Sequence, residues 1–209
     1  MNSPHPTGSQ FWDARYAAHE WVYGTSPNAY FKSFLDAYAG KPGRLLLPAE
    51  GEGRNAIYAA RKGWEVEAFD ISEAGRQKAL KWAEAEQLHL TYYHAGWEDF
   101  ENHLQSEFDL IALIYAHMPA RIRSEVHGQL VRWLRPGGHL LLEAFRPEQL
   151  GRNSGGPKDT AMLYSPEALA YDFGALETLE LAGHEVQLQE GPFHQGQAAI
   201  VRFLGRRPK

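Results

Sequence analysis

Two rhythms alternate along this chain. Apolar runs of strand length occur at Arg44–Leu47, in "EVEAFD" ending at Asp70, in "LTYYH" ending at His94, in "FDLIALIY" from Phe108 and in "HLLLEAF" from His139. Stretches with helical spacing separate them. One runs from about Arg54 to Lys62 and is closed by Gly63. A second starts at Ser72, a capping residue, and reaches about Glu86. A third starts at Pro119, a good first helical residue, and reaches about Leu134. "RPGG" then turns the chain into the fifth strand. Strands alternating with helices predict a parallel sheet with crossover helices. The near-continuous apolar character of strands one, four and five predicts burial on both faces.

The two ends break this rhythm. "FWDARYAAHEW" reads as a short aromatic helix, "VYGTSP" as a loop, and "NAYFKSFLDAYAG" as a helix with Ser26 as a possible cap and Gly40 as its stop. Near the other end, "LETLELAGHEVQLQEG" and "GQAAIVRFLGRR" read as two strands joined by a Gly/Pro/His loop, which favours an antiparallel hairpin. The expected fold class is α/β: a three-layer, Rossmann-like sheet of about seven strands, mostly parallel, with a C-terminal antiparallel hairpin. No internal repeat or long linker divides it. Residues 1–209 are expected to form one domain, with a helical cap segment at 1–40 and the core at 41–209.

Composition narrows the partners. The chain has 209 residues, 44% hydrophobic and 22% charged, with a net charge of −5 and no cysteine. At that length roughly 70% of the unfolded chain's surface can be buried without staples. The charge argues against a phosphate-backbone partner. The lack of cysteine excludes disulfides, cysteine–zinc sites and a cysteine nucleophile. The polar start, "MNSPHPTGSQ", has no apolar signal core, and "LIALIYA" is a third of a membrane span. A cytoplasmic protein with no membrane or nucleic-acid partner is expected. The ten histidines show no zinc-helix spacing, so no metal is expected.

The sharpest motif is "LLLPAEGEGRNA", residues 45–56. Gly51-x-Gly53-x-x-Ala56 follows a strand and opens a helix, and Asp70 ends the next strand 19 residues past Gly51. That spacing is a nucleotide fingerprint: glycines make the turn and let the backbone approach the ligand, and the acid meets ribose hydroxyls. The layout serves nicotinamide enzymes and S-adenosylmethionine enzymes alike. A nicotinamide enzyme usually needs a substrate domain, and none is evident. Glu50 and Glu52 would repel a pyrophosphate but suit a cofactor with a cationic ammonium end.

Further stretches carry a resemblance. "FWDARY", "YGTSPN", "GEGRNA", "GWEVEAFDIS", "FDLIALIYAHMP" and "LRPGGHLLLEAF" resemble class I S-adenosylmethionine-dependent methyltransferases of the small TehB-like and thiopurine methyltransferase-like group, linked by that likeness to tellurite resistance. The likeness covers nearly the whole chain. It implies S-adenosylmethionine as cofactor, S-adenosylhomocysteine as product and a bacterial source. It also implies a cofactor set of Tyr23, Glu50, Gly51, Gly53, Asn55, Asp70, Ile71, Gly96, Trp97, Glu98 and Tyr115. The family's acid at the end of strand one and its first turn glycine are replaced by Leu47 and Ala49. Glu50 is then the nearest acid for the methionine ammonium. In place of the family's acid after strand three stands "HAGWEDF". The backbone there or Glu98 would read the adenine edge, and Trp97 would cover its face.

The acceptor side is less specific. No Asn/Asp-Pro-Pro-Tyr follows strand four, which argues with the charge against nucleic-acid methylation. His117, just past that strand, is either a general base, a cap of the Pro119 helix or part of the pocket lining. Arg146, Arg152, Lys158 and His194 are either solvated surface groups or binders of an anionic or oxygen-rich acceptor. Tyr16 and Tyr23 either close over the pocket or pack on the first helix. The expected activity is methyl transfer from S-adenosylmethionine to a small-molecule acceptor, by a monomer or homodimer. The alternatives are a nicotinamide-dependent oxidoreductase and a non-catalytic S-adenosylmethionine-binding protein.

Overall fold

The computed structural model describes residues 8–100 and 107–209. The polar stretch 1–7 lies outside them. Seven strands form one sheet in the order β3-β2-β1-β4-β5-β7-β6. These are β1 (Arg44–Pro48), β2 (Glu65–Asp70), β3 (Thr91–His94), β4 (Phe108–Ile114), β5 (Leu134–Phe145), β6 (Glu177–Gln189) and β7 (Gln195–Arg206). The first five pair in parallel. β7 alone runs against them, between β5 and β6. The α/β class and the antiparallel C-terminal hairpin match the hydrophobic pattern.

The described residues hold seven α-helices: α1 (Ser9–Ala18), α2 (Ala29–Ala37), α3 (Arg54–Arg61), α4 (Glu73–Ala85), α5 (Trp97–Phe100), α6 (Ala120–Trp133) and α7 (Pro166–Asp172). Two apolar layers sandwich the sheet, because alternate strand residues point to opposite faces. Leu45, Leu47, Val66 and Ala68 pack against Phe31 and Leu35 of α2, Ile57 of α3 and Ala79 of α4. Leu46, Ile111, Leu113 and Leu142 pack on the other face against Val126 and Leu130 of α6 and Leu169 of α7. β4 is buried at all seven residues, as its apolar run predicts. β6 is the outer strand on the C-terminal side of the sheet, and Glu177, Glu180 and Glu185 along it discourage edge-to-edge pairing.

Two local expectations are corrected and one helix is added. Asn28, not Ser26, caps α2, its Oδ1 accepting from the amides of Tyr30 and Phe31 at 3.1 and 3.0 Å. "RPGG" does not precede the fifth strand but lies inside it as an irregularity between the pairs Phe108–Leu134 and Leu110–His139. Gly137, at φ +81°, supplies the bend. The stretch after β5 adds α7, a helix with Ser165 as N-cap and Pro166 as its first residue.

The N-terminal segment is tied down at the middle and the C-terminal end of α1. Asp13 accepts from the Ser72 hydroxyl at 2.6 Å and the Ala74 amide at 3.0 Å, capping α4 from outside. Lys78 donates to the carbonyls of Tyr16, His19 and Glu20 at 2.6–2.9 Å, where α1 leaves carbonyls without helical partners. α1 is thereby laid over the ends of β1 and β2.

Candidate active site

Strand order reverses between β1 and β4, and ligands bind outside the carboxyl ends of the strands at such a point. The turn after β1 lies there. Ala49, Gly51 and Gly53 all have positive φ, at +52°, +63° and +86°. Glycine adopts this region freely, whereas a residue with a Cβ is strained in it by about 1–2 kcal/mol. Ala49 bears that strain. Gly53 has a second reason to be glycine: a Cβ there would lie 2.5 Å from the Cβ of Ala79.

Asp70 closes the turn. It is buried at the end of β2, and its two oxygens accept from the Gly51 amide at 2.9 Å and the Ser72 amide at 2.8 Å. Burial lifts its carboxyl to about 6 against the pull of those two amides. Each carboxylate oxygen retains a lone-pair site, so the chemistry required by a ribose diol is present.

The two turn acids have different tasks. Glu50 is buried, and Oε1 accepts from the amides of Asn55 and Ala56, both at 2.8 Å, while Oε2 accepts from Asn55 Nδ2 at 3.1 Å. It caps the start of α3, where the helix dipole favours an anion. Burial raises its carboxyl to about 7, with those bonds opposing. Three of roughly four acceptor positions are therefore used within the protein. Glu52 is committed further away, to Lys78 at 2.7 Å and the Val22 amide at 2.8 Å.

Tyr16 lies directly over this turn. Its hydroxyl would be 2.5 Å from a Cβ on Gly51, and its ring 3.0 Å from one on Gly75. The residues expected to flank adenine also converge. Ile71 Cγ2 would be 3.5 Å from a Cβ on Gly96, and Trp97 packs edge-on against Phe69 at 5.3 Å. Trp97 and Glu98 border a groove of about 240 Å³ with Ile122, Glu125, Val126 and Gln129. A larger hollow of about 420 Å³, lined by Phe34, Tyr38 and His139, lies at the other end of β5, away from the glycine turn.

A buried polar network joins the turn to β5 and the β6–β7 loop. Asn28 Nδ2 donates to Glu143 Oε1 at 2.6 Å and to Glu190 Oε1 at 3.1 Å, and its amide donates to Asn55 Oδ1 at 2.9 Å. Glu143 also accepts from the Tyr115 hydroxyl at 2.9 Å and from Arg202 at 2.7 Å. Arg54 pairs with Glu190 at 2.9 Å. The sequence hides Asn28, Arg54, Glu143, Glu190 and Arg202 because their partners are far away in the chain. Carboxylates within otherwise apolar strand and loop runs were the available signal.

Tyr115, held at φ +53° just after β4, packs against Phe145 at 4.7 Å and His194 at 4.5 Å. Tyr23 packs on the other side of His194, also at 4.5 Å. His194 is buried, and its Nδ1 lies 3.4 Å from Glu190 Oε2. Nε2 faces Gly155, where a Cβ would come within 3.2 Å, so that glycine keeps space beside the ring. Burial lowers the histidine's basicity, with Glu190 opposing, so the ring is neutral at neutral pH.

His117 does not have the freedom that a general base needs. Nδ1 lies 2.6 Å from the Met162 carbonyl, and the Phe145 amide donates to Nε2 at 3.2 Å. These partners set the tautomer, and burial lowers its pKa to about 4. The ring staples the 160–163 turn to β5. Arg146 and Arg152 also leave the acceptor set: both pair with Glu185 on the outer strand, and Arg146 also with Glu148 at 3.1 Å. Lys158 is exposed and donates to the Arg152 carbonyl at 3.3 Å. Among the described residues, no group of three or more His, Asp or Glu side chains is placed to hold a metal, and no helix is long and apolar enough to cross a membrane.

Comparison with known proteins bears on the fold. Residues 48–138 match a family model described as a methyltransferase domain. Comparison with curated proteins finds no match. Among solved structures, the chain is similar to one from a study of the conversion of a disulfide bond into a thioacetal group during echinomycin biosynthesis. It is 17% identical over 96% of this chain and 92% of that one, with a TM-score of 0.76. It is similar to the N-methyltransferase NodS from Bradyrhizobium japonicum WM9 in complex with S-adenosylhomocysteine, at 16% identity over 96% and 98% of the two chains, with a TM-score of 0.72. It is also similar to TehB from Haemophilus influenzae, at 15% identity over 95% of this chain and 66% of that one, with a TM-score of 0.72. At these identities the likeness is one of fold.

Proposed function

We propose that the chain is a class I S-adenosylmethionine-dependent methyltransferase whose acceptor is a small molecule held between the glycine turn and the Tyr23–His194–Tyr115 wall. The observation that carries the cofactor half is the Asp70 carboxylate on the Gly51 amide, at the point where strand order reverses. A ribose diol fits the lone pairs left on Asp70. Ile71, Gly96 and Trp97 suit the adenine, and the backbone of Ala49–Gly51 the amino-acid end. Glu50 contributes mainly by holding that turn on α3. Asn55 contributes by orienting Glu50.

Bound there, S-adenosylmethionine supplies a methyl group already activated on a cationic sulfur. The protein's part is to place the acceptor about 3 Å from that methyl and to keep water away. Tyr16 and Tyr23 cover the turn. Tyr115, Phe145 and His194 bound the adjoining space. His194 is better placed than His117 to take a proton from a protic acceptor: Glu190 orients Nδ1, and Nε2 accepts.

Single-turnover methyl transfer against pH, with a panel of small thiols, phenols and amines, tests this reading. With a protic acceptor, His194→Gln is expected to slow transfer about a hundredfold and to remove a titration from the rate profile. His117→Gln is expected to keep the profile. A normal profile in His194→Gln and a lost one in His117→Gln would reverse the assignment.

A further inference from the structure

α1 brings a cation to this wall that the transfer described above has not used. The Arg15 guanidinium lies over three rings: Phe11 at 4.4 Å, Trp12 at 5.4 Å and Phe193 at 4.9 Å. Among the described residues its one hydrogen bond is from Nη1 to the Tyr23 hydroxyl at 3.2 Å. Among the described residues, no carboxylate pairs with it. Its neighbours differ. Lys78 has Glu52, Arg54 has Glu190, and Arg146 and Arg152 have Glu185.

A fully solvated arginine without a partner would be unremarkable, but Arg15 is only partly exposed, as are all three rings around it. Stacking fixes the guanidinium plane and leaves its edge donors free, the arrangement that receives a planar oxyanion in a fork. Holding the side chain costs rotamer freedom that three ring contacts offset, so the donors are pre-organised. Packing of α1 alone would be served as well by an apolar residue or lysine.

The position ties Arg15 to the acceptor. Tyr23 accepts from Arg15 and packs against His194, which packs against Tyr115 at the end of β4. One tyrosine's length therefore separates the free donors of Arg15 from the histidine beside the transfer site. Phe193 bridges the same span, contacting Arg15 and lying 6.5 Å from Tyr23.

We propose that Arg15 is a specificity residue that receives an anionic group of the acceptor, a carboxylate or similar planar oxyanion carried on a flat apolar body. The rings that hold Arg15 accommodate that body, and the nucleophilic atom is directed towards His194. The proposal rests on the transfer site described above. It defines the acceptor class as small, anionic and at least partly aromatic or planar.

Benzoate and its neutral isostere benzamide are the probes. Protein saturated with S-adenosylhomocysteine is titrated with each by calorimetry, with tryptophan fluorescence as a second readout. Benzoate is expected to bind at least tenfold more tightly than benzamide. Arg15→Met, which keeps the stem and removes the donors, is expected to abolish that preference while leaving affinity for S-adenosylhomocysteine unchanged. Arg15→Lys is expected to restore only part of it. Normal S-adenosylhomocysteine binding with no preference for benzoate, or with a preference that survives in Arg15→Met, would overturn the anion site alone. No S-adenosylhomocysteine binding would overturn the transfer site with it.

Discussion

The two halves of this sheet are built by different kinds of contact. In the cofactor half, β1, β2 and the helices after them, many of the contacts that shape the turn are short in sequence, and Asp70 reaches the Gly51 amide across only 19 residues. Glu50 reaches the Asn55 and Ala56 amides five and six residues on, Asp70 bonds the amide of Ser72, and Ser72 caps Gly75 at 3.1 Å. In the acceptor half the decisive contacts are long. Asn28 bonds Glu143 across 115 residues and Glu190 across 162, and Tyr30 bonds Glu180 across 150. Local chemistry therefore shapes the turn that a constant cofactor needs. The proposed acceptor pocket would be assembled by tertiary packing from loops that lie on the surface of the sheet.

Removing a long-range tie should do the most damage. Glu143 is buried, bonded to Asn28, Tyr115 and Arg202, so Glu143→Ala leaves the half-buried Arg202 cation and two polar groups without their partner. A loss of about 3–5 kcal/mol in urea unfolding is expected. A loss under about 1 kcal/mol would mean that the network does not hold the two halves together.

Glu50 tests the local side through pH. Its folded-state carboxyl lies at about 7, above the ordinary 4.5 of the unfolded chain. The folded state thus holds its proton more tightly, and the stability this gives is present below about pH 4.5 and lost as pH rises towards 7. A shift of that size corresponds to at most about 3 kcal/mol. Glu50→Gln, which cannot ionise, should flatten that decline in unfolding measured from pH 4.5 to 7. The same slope in wild type and variant would show that Glu50 is already ionised in the fold.

The smallest effect is at the one turn position that departs from glycine. Ala49→Gly relieves left-handed strain but adds freedom to the unfolded chain. A gain of about 1 kcal/mol or less is expected in thermal unfolding. A loss would show that the alanine methyl packs usefully.

Legibility in the sequence follows the same division. The ends of β1, β2, α3 and α4 fall within one or two residues of where the apolar pattern and Ser72 place them, and Asp70 ends β2 as expected. Nothing local in the sequence reveals that Tyr16 covers Gly51 or that His194 has Glu190. His117, Arg146 and Arg152 were misleading for the same reason. Their neighbours in sequence place them at the carboxyl edge, and only the fold supplies Met162, Phe145 and Glu185 to engage them. Ser26 lost to Asn28 as cap because Pro27 intervenes and the helix starts later. Arg15 drew no notice because one arginine in an aromatic stretch looks like any surface charge.

The claim that the glycine turn and Asp70 form an S-adenosylmethionine site is tested most directly by calorimetric titration with S-adenosylmethionine, S-adenosylhomocysteine and NAD, in the wild type and in Asp70→Ala and Asp70→Asn. Charge-assisted bonds to ribose hydroxyls are worth about 1.5–3 kcal/mol. Both sulfur cofactors are therefore expected to bind, NAD not to bind, and each variant to lose at least about tenfold in affinity while remaining folded. Binding of NAD without either sulfur cofactor would contradict the account.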